Sequence, residues 1–267
     1  MTLNIVNFYN YFSFRNKFQR LRAWGEPMSI DTGKRTLSPE GIIEACEELR
    51  AEYAKDYPFK AREIMSKDEF PRLAAAKRRA FAGGDINHRF EGERYINNTD
   101  KAARRKQLRK LVDEGGENSV GGEKVAHPLL SRWESYAFGV SDEEINVLEK
   151  QDAEPGQLVA RGWWIAMNRH SHFSVAIGSG MVAEGGTKMH SAELLDAIER
   201  DRQRFQEWGV DDIDRALMNR FEHAGIDIDH ANFNEDVVRE FCTTPENQDQ
   251  MQQVFELRLQ MTSGGVF

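Results

Sequence analysis

The chain has 267 residues, a formal net charge of -8, 40% hydrophobic and 30% charged residues, a composition with ample length for a real core. The negative balance argues against a nucleic-acid binder that works by bulk electrostatics, and no apolar run reaches the ~18 residues that a membrane span needs. Two cysteines, Cys46 and Cys242, form neither a disulfide framework nor a Cys-x-x-Cys zinc site, which points to a reducing, cytoplasmic setting.

Residues 1–37 read as an N-terminal arm. They are rich in aromatics and carry Arg15, Lys17, Arg20 and Arg22, without the apolar segment and small-residue cleavage site of a signal peptide. Residues 38–267 read as one all-α domain of about seven to nine helices, because helical periodicity and cap residues recur throughout. Ser38-Pro39 is an N-cap followed by proline at the first helical position, and Ile42, Ile43, Cys46, Leu49 and Tyr53 follow at helical spacing. A second helix is expected around Phe70 to Phe81, closed by Gly83-Gly84. A third covers 88–97 and a fourth Asp100 to Asp113, the latter with a basic run, Arg104, Arg105, Lys106, Arg109 and Lys110, that reads as a solvated face. The glycine-rich stretch 115–126 lacks the Gly-Lys-Ser/Thr ending of a phosphate loop and reads as a connection. Pro128 opens a short helix and Ser141 caps the next. A long apolar helix is expected over 157–184, ending at Glu184 before Gly185-Gly186, and further helices over 190–207, 211–231, 234–242 and 246–261.

The strongest chemical signal is His223, Asp227 and His230, at i, i+4 and i+7. At 3.6 residues per turn they share one helix face, and two imidazoles with a carboxylate on one stripe can chelate a transition metal. Further ligands must come from other helices. Glu184 follows Met181-Val182-Ala183, where a carboxylate is costly to bury unless it is paired or metal-bound. Gly180, one turn earlier, leaves room beside such a metal for oxygen or substrate. Glu114, with Glu117 as its alternative, and His127 before Pro128 are the other candidates.

These residues resemble a known family. His223-x3-Asp227-x2-His230, the earlier Asp113-Glu114-Gly115-Gly116 followed by His127-Pro128-Leu129-Leu130, Glu184 near the end of a long helix, and the closing Thr243-Thr244-Pro245-Glu246 are similar to the heme-oxygenase-like diiron oxidases and oxygenases. That group includes the chlamydial death-domain-associated protein and relatives of pyrroloquinoline-quinone synthase C. The similarity covers about residues 38 to 262. Phe221 stands two residues before His223, where the family has its aromatic three before, and Phe70 to Arg94, which helps shape the family's substrate pocket, matches poorly.

The resemblance implies a heme-oxygenase-like helical bundle, of the architecture shared with TenA and PqqC. It implies a metal site of Glu114, His127, Glu184, His223, Asp227 and His230, holding two Fe2+ per chain, with Mn as an alternative. It further implies O2-dependent chemistry on a small amino-acid-like or carboxylate substrate: C–H abstraction with desaturation or fragmentation, or N-oxygenation. Glu184 and Arg220 are the expected groups beside the reaction. Arg220 lies one turn before His223 and suits a substrate carboxylate, with Arg169 as a second choice. An external electron donor and a homodimer are compatible with this reading; nucleic acid and membrane are not expected partners. The alternatives are a cofactor-free oxidase of the quinone-synthase type and a non-catalytic helical scaffold. A ferritin-like diiron bundle is disfavoured, because no histidine has a glutamate three positions earlier.

Overall fold

Local capping decides where most of the helices begin. The computed structural model describes residues 37–59, 86–98, 100–117, 124–137, 139–149, 162, 165–170 and 172–263. Among these the chain is all-α, with no strand. Helix α1 is Pro39–Asp56, opened by Ser38, whose Oγ accepts from the Gly41 amide at 2.9 Å. Helix α2 is Ile86–Asn97 and α3 is Lys101–Glu114, where the Asp100 carboxylate accepts from the amides of Ala102 and Ala103. Helix α4, His127–Tyr136, carries proline in its first turn. Helix α5, Asp142–Glu149, opens with a reciprocal capping box between Ser141 and Glu144. Then follow α6 Phe173–Met189, α7 Ser191–Glu207, α8 Ile213–Phe241 and α9 Pro245–Ser263. No described helix is long and apolar enough to cross a membrane.

The core forms around α6. Ten consecutive residues, Phe173 to Val182, are buried, so this helix has neighbours on every side. Ile42 and Cys46 of α1, Val237 and Val238 of α8, and Met251, Phe255 and Leu259 of α9 pack with it. Both cysteines are buried and free. Arg50 of α1 ties the layers together. It donates to the carbonyls of Met181 and Val182 at 2.6 and 3.0 Å and lies over the Phe255 ring at 5.2 Å. A second cluster joins Ile198 and Phe205 of α7 to Ala216, Leu217 and Ala224 of α8.

Three expectations change. The long helix expected over 157–184 is interrupted: residues 165–168 are helical, Arg169 turns, and α6 starts only at Phe173. His170 accounts for the break, because its Nδ1 captures the His172 amide at 3.0 Å and offers the backbone an alternative to the helix ladder. At its other end α6 runs through Gly185-Gly186 to Met189, so Glu184 lies inside the helix. A Cβ on Gly185 would sit 2.7 Å from Arg50 Nη2; this glycine serves a close approach and terminates nothing. The separate helices expected over 211–231 and 234–242 are one 29-residue helix, since Asn232-Phe233-Asn234 contains neither glycine nor proline to break it.

The expected arm 1–37 lies outside the described residues except Leu37, which exchanges backbone contacts with the Gln248 side chain. The second expected helix, Phe70 to Phe81, also lies outside them.

The close packing of α6 yields a paired test. A Cβ on Gly178 would sit 2.8 Å from the Met251 backbone oxygen, whereas one on Gly92 in α2 meets nothing within 4 Å. Gly178→Ala is expected to destabilise the fold by ~1–3 kcal/mol through overpacking. Gly92→Ala should stabilise it by ~0.5–1 kcal/mol through helix propensity. Urea denaturation followed by circular dichroism measures both, and equal effects would contradict this packing.

Candidate metal centre

Four helices and one glycine bring the polar groups together. Helix α3 ends on Glu114. Gly116 then takes φ 90°, open to glycine without strain, and a side chain there would collide with the Val125 backbone. The chain therefore folds back beside its own helix end, and His127, the first residue of α4, meets Glu114: Nδ1 lies 2.8 Å from Oε2. From α8, His230 presents Nδ1 to Glu114 Oε1 and Nε2 to Asp113 Oδ2, each at 3.6 Å. His223 lies edge-on to His127, with ring centroids 4.7 Å apart, and its Nδ1 is 3.3 Å from Asp227 Oδ1. From α6, Glu184 feels the charges of Asp227 and Glu114. All six expected ligand residues thus gather at one place.

Glu184 is already engaged. Lys110 of α3 donates to its Oε1 and Asn234 of α8 to its Oε2. The space that Gly180 leaves is taken by Asn234: a Cβ there would sit 2.9 Å from the Asn234 amide nitrogen. That glycine makes room for a protein side chain, in place of the expected oxygen or substrate. Glu117, the alternative to Glu114, points away; it is exposed and pairs with Lys124 at 3.0 Å. Arg220 is bound to buried Asp201 of α7, which also holds Arg204. Arg169 is exposed and pairs with Glu93 at 2.8 Å. Neither arginine is offered to the centre.

Burial and mutual charge set the protonation states. Burial works against charge on each group, and the outcome depends on its partners. For Glu114 the hydrogen bond and charge of His127, then His223 and Lys110, win, and its carboxyl is held well below the usual range. Asp227 is also lowered, by His223 and His230. Burial dominates at Glu184, whose pKa rises despite Lys110 because Asp227 and Glu114 add their repulsion. For His223, burial opposes the proton, but Asp227, Glu114 and Glu184 together push its pKa up to about 9.

The donor set, three imidazoles and three carboxylates without thiolate, suits iron or manganese. His127 is buried, and its Nε2 has no protein hydrogen-bond partner among the described residues, as expected of a nitrogen kept for a ligand. Yet no three His, Cys, Asp or Glu side chains among the described residues are arranged to hold a metal ion as they stand. The chemistry fits a metal, while the side chains are drawn into charge pairs with one another.

Four residues here were not read from the sequence as part of the site, and Lys110, expected on a solvated face, is buried. Asn234 lies four after His230 and Lys110 four before Glu114, so both continue a stripe already recognised. Asp113 adjoins Glu114. Arg258 of α9, whose pKa burial pulls down to about 10 against the pull of Glu184, has no sequence signal. A scan against protein-family models and a search of curated proteins find no match to this chain.

The His223–Asp227 pair predicts a pH dependence for the metal-free chain. The folded pKa lies above the ordinary imidazole value of about 6.5, so the stabilisation is complete below about pH 6.5 and is lost as pH rises through about 9. Asp227→Asn should shrink that alkaline loss and move the His223 titration down towards 6.5, with Glu114 and Glu184 still holding it above that value. An NMR titration of the imidazole measures the shift, and an unchanged midpoint would refute the coupling.

Proposed function

We propose that this chain is an O2-dependent non-heme iron oxidase or oxygenase of the heme-oxygenase-like kind, acting on a small amino-acid-like or carboxylate substrate. The observation that carries the reading is the meeting of Glu114, His127, Glu184, His223, Asp227 and His230, contributed by four helices, in one largely buried cluster. Charged groups are rarely gathered in an interior without a chemical use.

Glu114, His127, His223, Asp227 and His230 would hold iron, with Glu184 completing the set for a second ion. The bound metal supplies the oxidising chemistry with O2. The chain's own residues orient and shield it. Asp113 faces the ring of His230 and steadies its orientation, as carboxylates behind metal-bound imidazoles do. Asn234 orients Glu184. An open cleft of about 370 Å3, lined by Arg105, Arg109, Lys110, Asp113, Asp229 and His230, reaches the cluster between α3 and α8. Its two exposed arginines suit the approach of a carboxylate, so the basic run on α3 in part faces this entrance.

A cofactor-free oxidase is the second reading, and the engagement of both Glu184 oxygens by Lys110 and Asn234 favours it.

One experiment separates the two. Metal-free protein is loaded anaerobically with Fe(II), mixed with candidate amino acids and carboxylates, and then given oxygen. Turnover should require iron and O2, and His223→Ala should lower it at least ~100-fold with helicity retained, as ligand loss does. Turnover that survives chelation would establish the metal-free alternative.

A further inference from the structure

We propose that Lys110 is a built-in competitor for the second metal position: its ammonium holds the Glu184 carboxylate and must leave before a metal can take Glu184 as a ligand. The inference rests on the metal-oxidase reading above and adds an order of loading to it.

The two ends of the cluster differ. At the Glu184 end, both carboxylate oxygens have protein donors, Lys110 Nζ on Oε1 and the Asn234 amide on Oε2. The Lys110 and Glu184 side chains are only 3% and 14% exposed, so water screens their attraction little. At the His127 end, the close partners of Glu114 are the imidazoles of His127 and His230, and Lys110 reaches it as a nearby positive charge. His127 Nε2 is buried with no protein partner among the described residues. A metal arriving there meets imidazole nitrogens, whereas one arriving at Glu184 must break the buried Lys110–Glu184 ion pair. A second divalent ion beside the ammonium would also be repelled as a like charge.

Lys110 has somewhere to go. It lines the cleft between α3 and α8, where Asp229 and Asp236 stand on the facing wall. A lysine stem has four rotatable carbons and a point charge, so it can swing from one carboxylate to another without moving the helix. Arginine, with a longer planar head, would not make that exchange as readily.

Metal titration tests the proposal on the full chain. Anaerobic Fe(II) and Mn(II) titrations of wild type and Lys110→Met, read by calorimetry and by metal analysis after desalting, report each step separately. Wild type should bind one ion tightly and a second at least ~10-fold more weakly, whereas Lys110→Met should bring the two affinities within ~3-fold. This tenfold gap corresponds to about 1.4 kcal/mol. Two equal sites in wild type, or an unchanged second affinity in Lys110→Met, would overturn the proposal while leaving the metal reading intact. No metal on either protein would overturn both.

Should Lys110→Met lose its helical signal, wild type alone decides. Reductive methylation read by mass spectrometry should spare Lys110 in the metal-free and singly loaded forms and modify it under excess metal. Equal protection in all three forms would overturn the competition.

Discussion

Helix α6 is surrounded by its neighbours over ten successive residues, and that burial sets the spacing on which the centre depends. Interior helices can be brought this close only where side chains are small. Gly178 admits the Met251 backbone and Gly180 admits the Asn234 side chain, so α9 and α8 approach opposite faces of one helix. Arg50 secures a third side by donating to carbonyls of α6 while its guanidinium rests against Gly185. Glu184 is carried on this scaffold at the point where the buried run ends. Its carboxylate is largely buried there, with the side chain 14% exposed.

Once Glu184 is inside, the remaining polar groups follow from the need to compensate charge. An isolated buried carboxylate is expensive, and a pair is tolerated only when both partners are satisfied. Lys110 and Asn234 meet that requirement at Glu184, His127 meets it at Glu114, and His223 meets it at Asp227. The cluster is therefore self-consistent without a ligand, and its pairs are the same groups that would coordinate one. This double use explains why the donor chemistry suits a metal while the side chains, as they stand, are turned to each other. It also gives Lys110 a definite part: its ammonium, bound to Glu184, is a monovalent cation at a carboxylate that a divalent cation would use.

Helix positions were largely legible in the chain because their signals are local. Ser38 before Pro39, Asp100 before Lys101, and Ser141 with Glu144 act within a few residues, and each starts a helix where it stands. The His-Asp-His stripe was legible for the same reason, since helical periodicity alone aligns its three members. Asn234 and Lys110 extend those stripes by one turn and could have been read the same way. Signals that act through distant partners misled. Gly185-Gly186 reads locally as a helix end but accommodates Arg50 from α1. The apolar stretch 157–184 reads as one helix, yet an imidazole at His170 takes the amide that would have continued it.

The sequence by itself determined an all-α chain, most helix starts and a His-Asp-His face on one long helix, because capping, periodicity and apolar content need no knowledge of the partner. Tertiary structure alone decided which carboxylates meet those imidazoles. Glu114 joined the cluster and Glu117 did not, although the two are three residues apart, because Gly116 turns the chain back between them. It also decided that Arg220 serves Asp201, that Asn234 fills the space at Gly180, and that Lys110 leaves the solvated face of its helix to bind Glu184. Each of these outcomes is a competition among charges and volumes brought together from distant parts of the chain, and such competition is settled only when the helices pack.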